Sequence, residues 1–595
     1  GAAVGCANSS NGEAGKSTGS AAAAASVQHF KVFEAMFGSK MLELVRHLTS
    51  RHLMVNPCLH PAKAYTTCWE EEWNPFTHSR DLEGERMVQA IAQLLRDAGE
   101  KFEDPTFPAD ATSLFSDPSM AGVNEDAKQT FRKDQDVFLA GVKGIEWKRP
   151  DEWGYPEQKI VMWSGGVDPD DVSQGRLGNC YYLAAMAACA LGEDDILLKD
   201  VCIEDHADVG MYGVKYFLNG KWVTVVVDDR VPCIEHFPGY WYPIFASPKK
   251  HSGQVVGEKE LWPMIFEKAW AKLHLSYEAT AGGQTDDAAS YLSAGILKSV
   301  PLQQGADNGE AWDECSRILS PDDGQTFCFL SCAVRNDEHE DPSAVGLITG
   351  HAYSILKMLD VNGTKLVQVR NPWGEHEWLG DFSDKSEAWT ADLKQAVGYE
   401  DEEDGSFFMH WPDFVKWFGN IEICDPTKLS ALTLDRMCRN KVFGSHWVAG
   451  LTAGGEPPSN TFKFNPRARV TVECDGPVNV TLFQPDTRCM HNPRRDAPIE
   501  NQMVSVFVTD ETAWGGLAVA PRKLLQCEPW RRQKSELIEL KAGHTYSITA
   551  ATFAPGMQGA FWIALSGQGV KLEPSPFDMP TSEEARAVQG GAPSS

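Results

Sequence analysis

Apolar residues in the N-terminal part of the chain recur at the spacing of a helix. Between Phe30 and about Gly99 two groups of them, one over 30–45 and one over 87–94, lie three or four positions apart, which places each group on one helical face. They are Phe30, Phe33, Phe37, Met41, Val45, Met87, Ile91 and Leu94. A stripe of this kind usually packs into a core, and the alternative is a surface that binds a partner protein. We therefore predict a helical segment over 30–100.

The pattern becomes mixed in the middle of the chain and alternating towards its end. Between 101 and 425, helical stretches are interspersed with β-rich runs such as Trp222 to Val227, which predicts an α+β fold. Over 440–567, short alternating strands are separated by turn residues such as Asp475-Gly476-Pro477. Several strands of this kind predict an all-β sandwich.

Both chain ends have too few apolar residues to bury much apolar area. Residues 1–29 are rich in Ala, Gly and Ser, and residues 568–595 are rich in Pro, Ser, Glu and Gly, so we predict a disordered segment at each end. Gly1 and Cys6 leave an acylated, lipid-anchored N-terminus open as an alternative. Against it, Gly5 stands where the myristoylation pattern has Ser or Thr.

Composition and charge exclude several classes of function. The formal net charge of -29 would repel nucleic-acid phosphates, so we expect no nucleic acid as partner. No apolar run approaches the roughly 18 residues of a transmembrane helix. The 15 cysteines include no CxxC pair, and no secretory signal is evident. We expect reduced thiols and a cytoplasmic protein, with association to a membrane or the cytoskeleton left open.

The segment QGRLGNCYYLAAMAACAL has the properties of a cysteine nucleophile and its surroundings. Gly178 and Asn179 indicate a turn or cap, and Cys180 begins an apolar run that predicts a buried helix. A thiol at the positive end of a helix dipole is favoured as the thiolate. Gln174, six positions upstream, is a side-chain donor that the loop could direct at an oxyanion. Taken alone, a cysteine before an apolar helix is more often structural.

A histidine and an asparagine further along complete a catalytic set. His351 in TGHAYSILKM precedes a predicted strand, and Asn371 in RNPWGEHEW follows another strand 20 positions later. Two adjacent antiparallel strands would bring them together, so that the Asn371 amide oxygen accepts a ring N–H of His351. Trp373 would shield that hydrogen bond from water. The alternative for His351 alone is a buried histidine that bonds a backbone carbonyl.

QGRLGNC, GHAY and RNPWG, in this order, resemble the three active-site blocks of the calpain family. The stretches VVVDDRVP, ELWPMIFEKAWAKLHLSYEATAGG and DGSFFMHWPDFVKWFGNIEIC resemble further parts of its protease core, and AGGEPPSNTFKFNPRARV and FAPGMQGAFWIAL resemble its β-sandwich domain. The resemblance implies a papain-like core of two subdomains, 101–283 with the cysteine and 284–425 with the histidine and asparagine. A calpain-type β-sandwich domain over 440–567 would follow.

The resemblance also implies a function, the limited proteolysis of protein substrates by an intracellular cysteine endopeptidase. Cys180 would attack the peptide carbonyl, Gln174 and the Cys180 N–H would hold the oxyanion, and His351 would protonate the leaving amine. A catalytically silent scaffold subunit is the alternative. Acyl transfer of the transglutaminase type is a third, and it is disfavoured because that family uses Asp where Asn371 stands.

Two calcium sites are implied by the resemblance, with one of them altered in this chain. The ligands would be Asp171 and Glu267 with backbone oxygens near Ser164 and Gly166 at the first site, and Glu377, Asp384 and Asp404 at the second. The family has an arginine where Pro169 stands and an acidic residue where Ser406 stands. We expect weaker calcium binding at the second site, or a core that closes without a two-ion switch. For Asp404, a solvated acidic loop is the alternative.

No EF-hand loop is evident in the sequence after the predicted β-sandwich. The residues around the nucleophile also depart from the family pattern. Calpains have Asp-Cys-Trp where this chain has Asn179-Cys180-Tyr181. We expect Asn179 to remain a helix-capping group and the loss of a negative charge to favour the thiolate.

Overall fold

The computed structural model describes most of the chain from residue 39 onward. The described residues are 39, 41–47, 67–73, 81–117, 139–154, 159–190, 196–203, 206–218, 221–248, 257–306, 308–319, 328–335, 341–399, 404–425, 438–486, 501–512, 520–529, 531–575 and 581–588. The predicted disordered segment 1–29 and the aromatic residues Phe30, Phe33 and Phe37 lie outside them, as does most of the acidic run before Asp404.

The N-terminal segment and the first half of the central region, up to residue 294, mix helices with short sheets. In chain order the elements are α1 (41–47), β1 (Thr67–Trp73), α2 (Leu82–Ala98), α3 (Ala111–Leu114), β2 (Glu146–Lys148), β3 (Lys159–Val161), β4 (Val172–Ser173), α4 (Cys180–Cys189), α5 (Ile196–Val201), β5 (Cys202–Ile203), β6 (Met211–Leu218), β7 (Lys221–Asp228), β8 (Val231–Phe237), β9 (Tyr240–Pro243), β10 (Ser247–Pro248), β11 (Glu258–Glu260), α6 (Trp262–Leu273) and α7 (Thr285–Ser293).

Two fully buried helices, α4 and α6, form the centre of this first half. Every residue of α4 after Cys180 is buried, as are all residues of α6, because neither helix presents a solvated polar face. The Trp270 ring of α6 stacks on the Tyr182 ring of α4 with centroids 4.4 Å apart. Helix α7 also packs here through Ala288 and Leu292. The predicted boundary at 283 had assigned α7 to the second half, and its apolar face accounts for the difference.

The second half, 296–425, is built on a six-stranded antiparallel sheet in the order β12-β17-β13-β14-β15-β16. Its elements are β12 (Ile296–Pro301), α8 (Gly309–Leu319), β13 (Phe329–Val334), β14 (Ala352–Val361), β15 (Thr364–Arg370), α9 (Ala391–Val397), β16 (Ser406–His410), α10 (Trp411–Trp417) and β17 (Phe418–Asp425). Strands β14 and β15 form a hairpin whose two-residue turn, Asn362-Gly363, has positive φ at both positions. In such a hairpin the residue before β14 lies close to the residue after β15.

A sandwich of two five-stranded sheets follows, β1-β18-β25-β20-β23 and β22-β21-β24-β19-β26. Its elements are β18 (Cys438–Trp447), β19 (Arg467–Val472), β20 (Gly476–Phe483), β21 (Val504–Asp510), β22 (Arg522–Cys527), β23 (Gln533–Leu540), β24 (Tyr546–Thr552), β25 (Gly559–Ser566), β26 (Val570–Pro574) and α11 (Ser582–Val588). Mixed helices and strands in the central region and strands after it agree with the α+β prediction and a β-rich C-terminal part.

The structure differs from the predicted segments in two places. Strand β1 lies inside the segment predicted to be helical, and it pairs along its whole length with β18. Strand β26 and helix α11 lie inside the predicted tail. The apolar residues Val570 and Leu572 of β26 pack on the sandwich core, and Val588 of α11 is fully buried. The sequence of β1 and that of the predicted tail contain too few apolar residues to show a clear strand or helix pattern. Neighbouring strands supply the surface against which these elements pack.

No helix among the described residues is long and apolar enough to cross a membrane.

Candidate active site

Cys180 occupies the first position of helix α4 and is the one residue of that helix that is only partly buried. Asn179 holds the N-cap position, but its side chain makes no capping hydrogen bond. It donates instead to Glu267 Oε1 on α6 at 2.7 Å. The predicted capping role of Asn179 is therefore wrong, because the hydrogen bond from its amide nitrogen to Glu267 fixes the side chain in an orientation in which its oxygen accepts no N–H of the helix end.

The Cys180 thiol lies at the start of strand β14. Burial raises the pKa of the Cys180 thiol, and hydrogen bonding to the backbone of Ala352, Tyr181 and Cys180 itself lowers it, with burial the larger effect. The contact with Ala352 is the informative one, because Ala352 directly follows His351. The predicted lowering of the thiol pKa by the helix end is outweighed by burial, so the thiol form is favoured in this state.

His351 and Asn371 are in direct contact at the base of the β14–β15 hairpin. Nε2 of His351 lies 2.7 Å from Oδ1 of Asn371, and both residues are buried. The Asn371 amide nitrogen donates to the carbonyls of Glu375 at 2.7 Å and His376 at 3.1 Å, which directs its oxygen towards the histidine. Nε2 of His351 is then the N–H donor, and Nδ1 is left as the acceptor.

The surroundings of His351 keep its ring neutral. Burial lowers the pKa of His351 to about 4, the hydrogen bond that His351 donates to Asn371 opposes this, and the charge of His376 adds to the lowering. The Trp373 ring lies 4.6 Å from the imidazole, centroid to centroid, and covers it as the sequence predicts. Trp373 N–H also donates to Asn371 Oδ1 at 3.0 Å, which fixes the amide further.

Gln174 lies in the loop before Cys180, but its side chain is directed elsewhere. Its Nε2 donates to the carbonyl of Leu177 at 2.6 Å, within its own loop. The backbone N–H of Gln174 donates to the carbonyl of Pro372 at 3.0 Å, next to Asn371. This bond ties the cysteine loop of the first half to the asparagine loop of the second. Use of Gln174 as an oxyanion donor requires its amide to leave Leu177.

At the position predicted for the first calcium site, Asp171 interacts with Glu260, a glutamate that the sequence argument did not name. Glu267 accepts hydrogen bonds from Asn179 and from the Ala246 N–H at 2.8 Å, so its two oxygens are turned towards those donors. Glu260, which the sequence argument missed, instead interacts with Asp171, and both carboxylates are fully buried. Strand β11 carries Glu260 to this position by pairing with β3. The only signal in the sequence was a second acidic residue seven positions before Glu267.

The buried carboxylates of Asp171 and Glu260 fit a cation electrostatically. Burial raises the pKa of Glu260 to about 9, the Asp171 carboxylate adds to this, and the Ser164 N–H, which donates to Glu260 at 2.6 Å, opposes it. Two carboxylates in this position need either a shared proton or a bound cation. Gly166, in the same loop as Ser164, has φ of 126°, a backbone conformation that favours glycine.

At the second predicted site the three carboxylates also face one another. Burial raises the pKa of Glu377 to about 7, the Gly405 N–H opposes this, and Asp384 and Asp404 raise it further. The Ser406 N–H donates to Asp404 Oδ1 at 2.6 Å. Among the described residues, no group of three or more His, Cys, Asp or Glu has the arrangement of a ready metal-binding cluster. A carboxyl group that faces two others, like the buried pair of Asp171 and Glu260, needs a bound proton or a cation to relieve the repulsion.

Comparison with known proteins identifies the family to which the chain is similar. Residues 102–425 match the family described as calpain family cysteine protease. The chain is 34% identical over 414 residues to the calpain-type cysteine protease ADL1 of Oryza sativa subsp. japonica, covering 67% of this chain and 17% of that protein. It is 32% identical over 402 residues to the calpain-2 catalytic subunit of Homo sapiens, covering 65% of this chain and 51% of that protein.

The DEK1 protease of Arabidopsis thaliana is 33% identical over 392 residues, with 64% of this chain and 16% of that protein covered. The chain thus spans about half the length of the calpain-2 subunit and under a fifth of the plant relatives. The family match extends over more than half of the chain and includes every residue of the site described above. The chain belongs to the calpain family of cysteine proteases.

Proposed function

We propose that the chain is a cysteine endopeptidase that cleaves protein substrates at a papain-like site between the two halves of its central region. Cys180 is the nucleophile, His351 the general base and Asn371 the residue that orients the histidine. The observation that carries the proposal is the contact of the Cys180 thiol with the backbone of Ala352, directly after a histidine whose Nε2 lies 2.7 Å from Asn371.

The proposed reaction starts from a neutral thiol and a neutral imidazole. Burial raises the pKa of Cys180 and lowers that of His351, so the proton transfer from sulfur to Nδ1 accompanies attack on the substrate carbonyl. Asn371 accepts the Nε2–H throughout and stabilises the imidazolium that forms. The carbonyl oxygen becomes negative at the N-terminus of α4, where the Cys180 N–H points towards it.

The second stage regenerates the thiol. The imidazolium of His351 gives its proton to the leaving amine, and the C–N bond breaks to leave an acyl-enzyme on Cys180. His351 then removes a proton from water as the water oxygen attacks the acyl carbon, the C–S bond breaks to release the carboxylic acid product, and the Cys180 sulfur takes the proton back from the imidazolium. Gln174 adds a second oxyanion donor once its amide leaves the Leu177 carbonyl, which lies in the same loop.

Calcium is proposed to bind Asp171 and Glu260, together with backbone oxygens near Ser164. When bound there, it would neutralise the two buried carboxylates and hold the Ser164 loop against β11. Pro169 in the loop of the first site and Ser406 at the second site replace residues that the family resemblance leads us to expect, and we propose weaker binding by Glu377, Asp384 and Asp404. A calcium titration that showed full dependence with cooperativity would contradict this weaker second site.

The test of the proposed function is cleavage of an unstructured protein such as casein, with calcium and with chelator. Wild type is expected to cleave, and Cys180→Ala is expected to lose activity by a factor of at least about 10³. Cys202→Ala, another partly exposed cysteine in the first half, is the matched control and should cleave like wild type. Equal cleavage by Cys180→Ala, or no cleavage by wild type in either condition, would refute the proposal and favour a scaffold role.

A further inference from the structure

One arginine of the β-sandwich contacts both halves of the central region. Arg531 lies just before β23, where its backbone carbonyl accepts from the Cys527 thiol at 3.2 Å, so the sandwich holds it in place. Its Nη1 donates to Asp286 Oδ2 at 2.5 Å, and its Nη2 donates to Glu422 Oε1 at 3.1 Å. Asp286 belongs to α7 in the first half, and Glu422 belongs to β17 in the second.

Both contacts lead directly to the proposed catalytic residues. Helix α7 shares a core with α4, the helix that carries Cys180. Strand β17 pairs with β13, which in turn pairs with β14, the strand that begins directly after His351. Arg531 therefore joins the element behind the nucleophile to the sheet that carries the base.

The two carboxylates depend on Arg531 because they are buried near each other. Asp286 is 1% exposed and Glu422 is 12% exposed. Burial raises the pKa of Glu422 to about 7, Asp286 raises it further, and Arg531 lowers it. Ser299 Oγ also donates to Glu422, at 3.0 Å. Without the guanidinium, two like charges would face each other across the boundary between the halves.

The residues after Arg531 fasten the same loop to α7. The Arg532 guanidinium lies 4.1 Å from the centroid of the Tyr291 ring, and Gln533 Oε1 accepts from Ser290 Oγ at 3.0 Å. These contacts reach the first half alone. Arg531 differs from these two residues in that its guanidinium bonds a carboxylate of each half.

We infer that Arg531 is a positioning residue, through which the β-sandwich holds the Cys180 helix and the His351 sheet in one arrangement. The inference rests on the proposed function for its effect on catalysis. Its effect on the boundary between the halves can be measured without activity, because hydrogen bonds cross that boundary. The Gln174 N–H donates to Pro372 O at 3.0 Å, and Arg370 Nη2 donates to Val172 O at 2.9 Å.

The experiment compares four variants in full-length protein. Arg531→Met removes the charge and keeps an unbranched side chain, whereas Arg531→Lys keeps the charge but cannot bond two carboxylates as a planar fork. The triple variant Arg531→Met with Asp286→Asn and Glu422→Gln removes both carboxylate charges as well. Arg522→Met is the matched control, since Arg522 is exposed on β22 in the same domain.

Hydrogen–deuterium exchange of peptides covering 172–177 and kcat/KM for casein are the two measurements. Arg531→Met is expected to exchange faster in that peptide and to lose at least about tenfold in kcat/KM, with Arg531→Lys in between. The triple variant should recover only in part: the like-charge repulsion is gone, but kcat/KM should stay at least about threefold below wild type because no side chain at 531 then bonds the sandwich to either half. Full recovery of the triple variant would show that Arg531 only neutralises the two charges and would overturn the positioning role.

Wild-type exchange and activity in a folded Arg531→Met protein would overturn the inference. If Arg531→Met fails to fold, Arg531→Lys and the triple variant decide the matter by the same two measurements. If the wild type has no peptidase activity, the proposed function fails, and unchanged exchange at 172–177 in the variants would still refute the positioning role separately.

Discussion

Asn179 and Glu267 form a buried hydrogen bond of 2.7 Å directly behind the nucleophile. The second oxygen of Glu267 accepts from the Ala246 N–H. Burial raises the pKa of Glu267 to about 7, and both hydrogen bonds oppose this. A carboxyl group thus holds the residue before Cys180, and it is able to do so because Asn179 offers an N–H donor.

Asn179→Asp, which introduces the residue of the family pattern, is expected to destabilise this chain at alkaline pH. The substitution removes a donor from Glu267 and places a second carboxyl group against it, at a cost of about 1–3 kcal/mol. The pKa of Glu267 in the folded state, about 7, lies above its ordinary 4.5, so its contribution to stability is full below pH 4.5 and is lost as the pH rises to about 7. The variant should extend that loss to higher pH.

Urea unfolding of Asn179→Asp and wild type at pH 5 and pH 8 measures this effect. The difference in the free energy of unfolding should be larger at pH 8. The double variant Asn179→Asp with Glu267→Gln is the control, and it should recover because Gln can donate to Asp. Equal unfolding free energies of Asn179→Asp and wild type at pH 8 would contradict the argument.

The sequence predicts that His351 and Asn371 are neighbours, because the two strands between them are consecutive and pair locally. A two-residue turn at Asn362-Gly363 determines the register, and the register brings the two flanking residues together. The contact of Cys180 with Ala352 joins two separate halves of the fold, and no local pattern predicts it. The family resemblance predicted only that Cys180 and His351 belong to one site.

Glu260 shows where the sequence argument ends. Glu260 and Glu267 stand seven positions apart in one segment, and both are buried. Which of them approaches Asp171 depends on the parallel pairing of β11 with β3, two three-residue strands separated by about a hundred positions. Strands this short leave no pattern in the sequence, and the same holds for β26 in the predicted tail.

A second prediction concerns the reactivity of Cys180 in chelator. Because burial raises the thiol pKa and lowers the pKa of His351 to about 4, no thiolate–imidazolium pair is expected between pH 5 and 7. The rate of alkylation by iodoacetamide should rise by about tenfold per pH unit between pH 6 and 8, as for an unpaired thiol. Mass spectrometry of the peptide containing Cys180 gives this rate.

The matched variant is His351→Ala under the same conditions. A neutral imidazole contributes little to thiolate formation, so the variant should follow the wild-type curve within about threefold. A rate that is constant between pH 5 and 7 in wild type and lost in His351→Ala would show that the ion pair is already formed and would refute the neutral starting state.

The third prediction separates the two glutamates of the first calcium site. Glu260→Gln should raise the calcium concentration for half-maximal thermal stabilisation by at least about tenfold, since it removes a carboxylate ligand. Glu267→Gln, the matched control, should change it by less than about threefold, because Glu267 bonds Asn179 and Ala246 instead. The reverse order of effects would return the ligand role to Glu267.

The same variant has an expected effect without calcium. The pKa of Glu260 in the folded state is about 9 against an ordinary value of 4.5, so its contribution to stability is full below pH 4.5 and is lost as the pH rises to about 9. In chelator at pH 8, Glu260→Gln is therefore expected to raise the melting temperature. A lower melting temperature at pH 8 would mean that the carboxylate pair is held by donors and does not need a cation.

The last prediction concerns the second proposed calcium site, where Ser406 departs from the family pattern, and Pro169, which departs from it in the loop of the first site. Ser406→Glu would add a carboxylate beside Asp404, whose Oδ1 accepts from the Ser406 N–H. Combined with Pro169→Arg, it is expected to lower the calcium concentration for half-maximal peptidase activity by about tenfold and to make the titration cooperative. Ser406→Ala with Pro169→Ala is the control and should titrate like wild type. If wild type already titrates cooperatively with full dependence on calcium, these two positions do not weaken the second site.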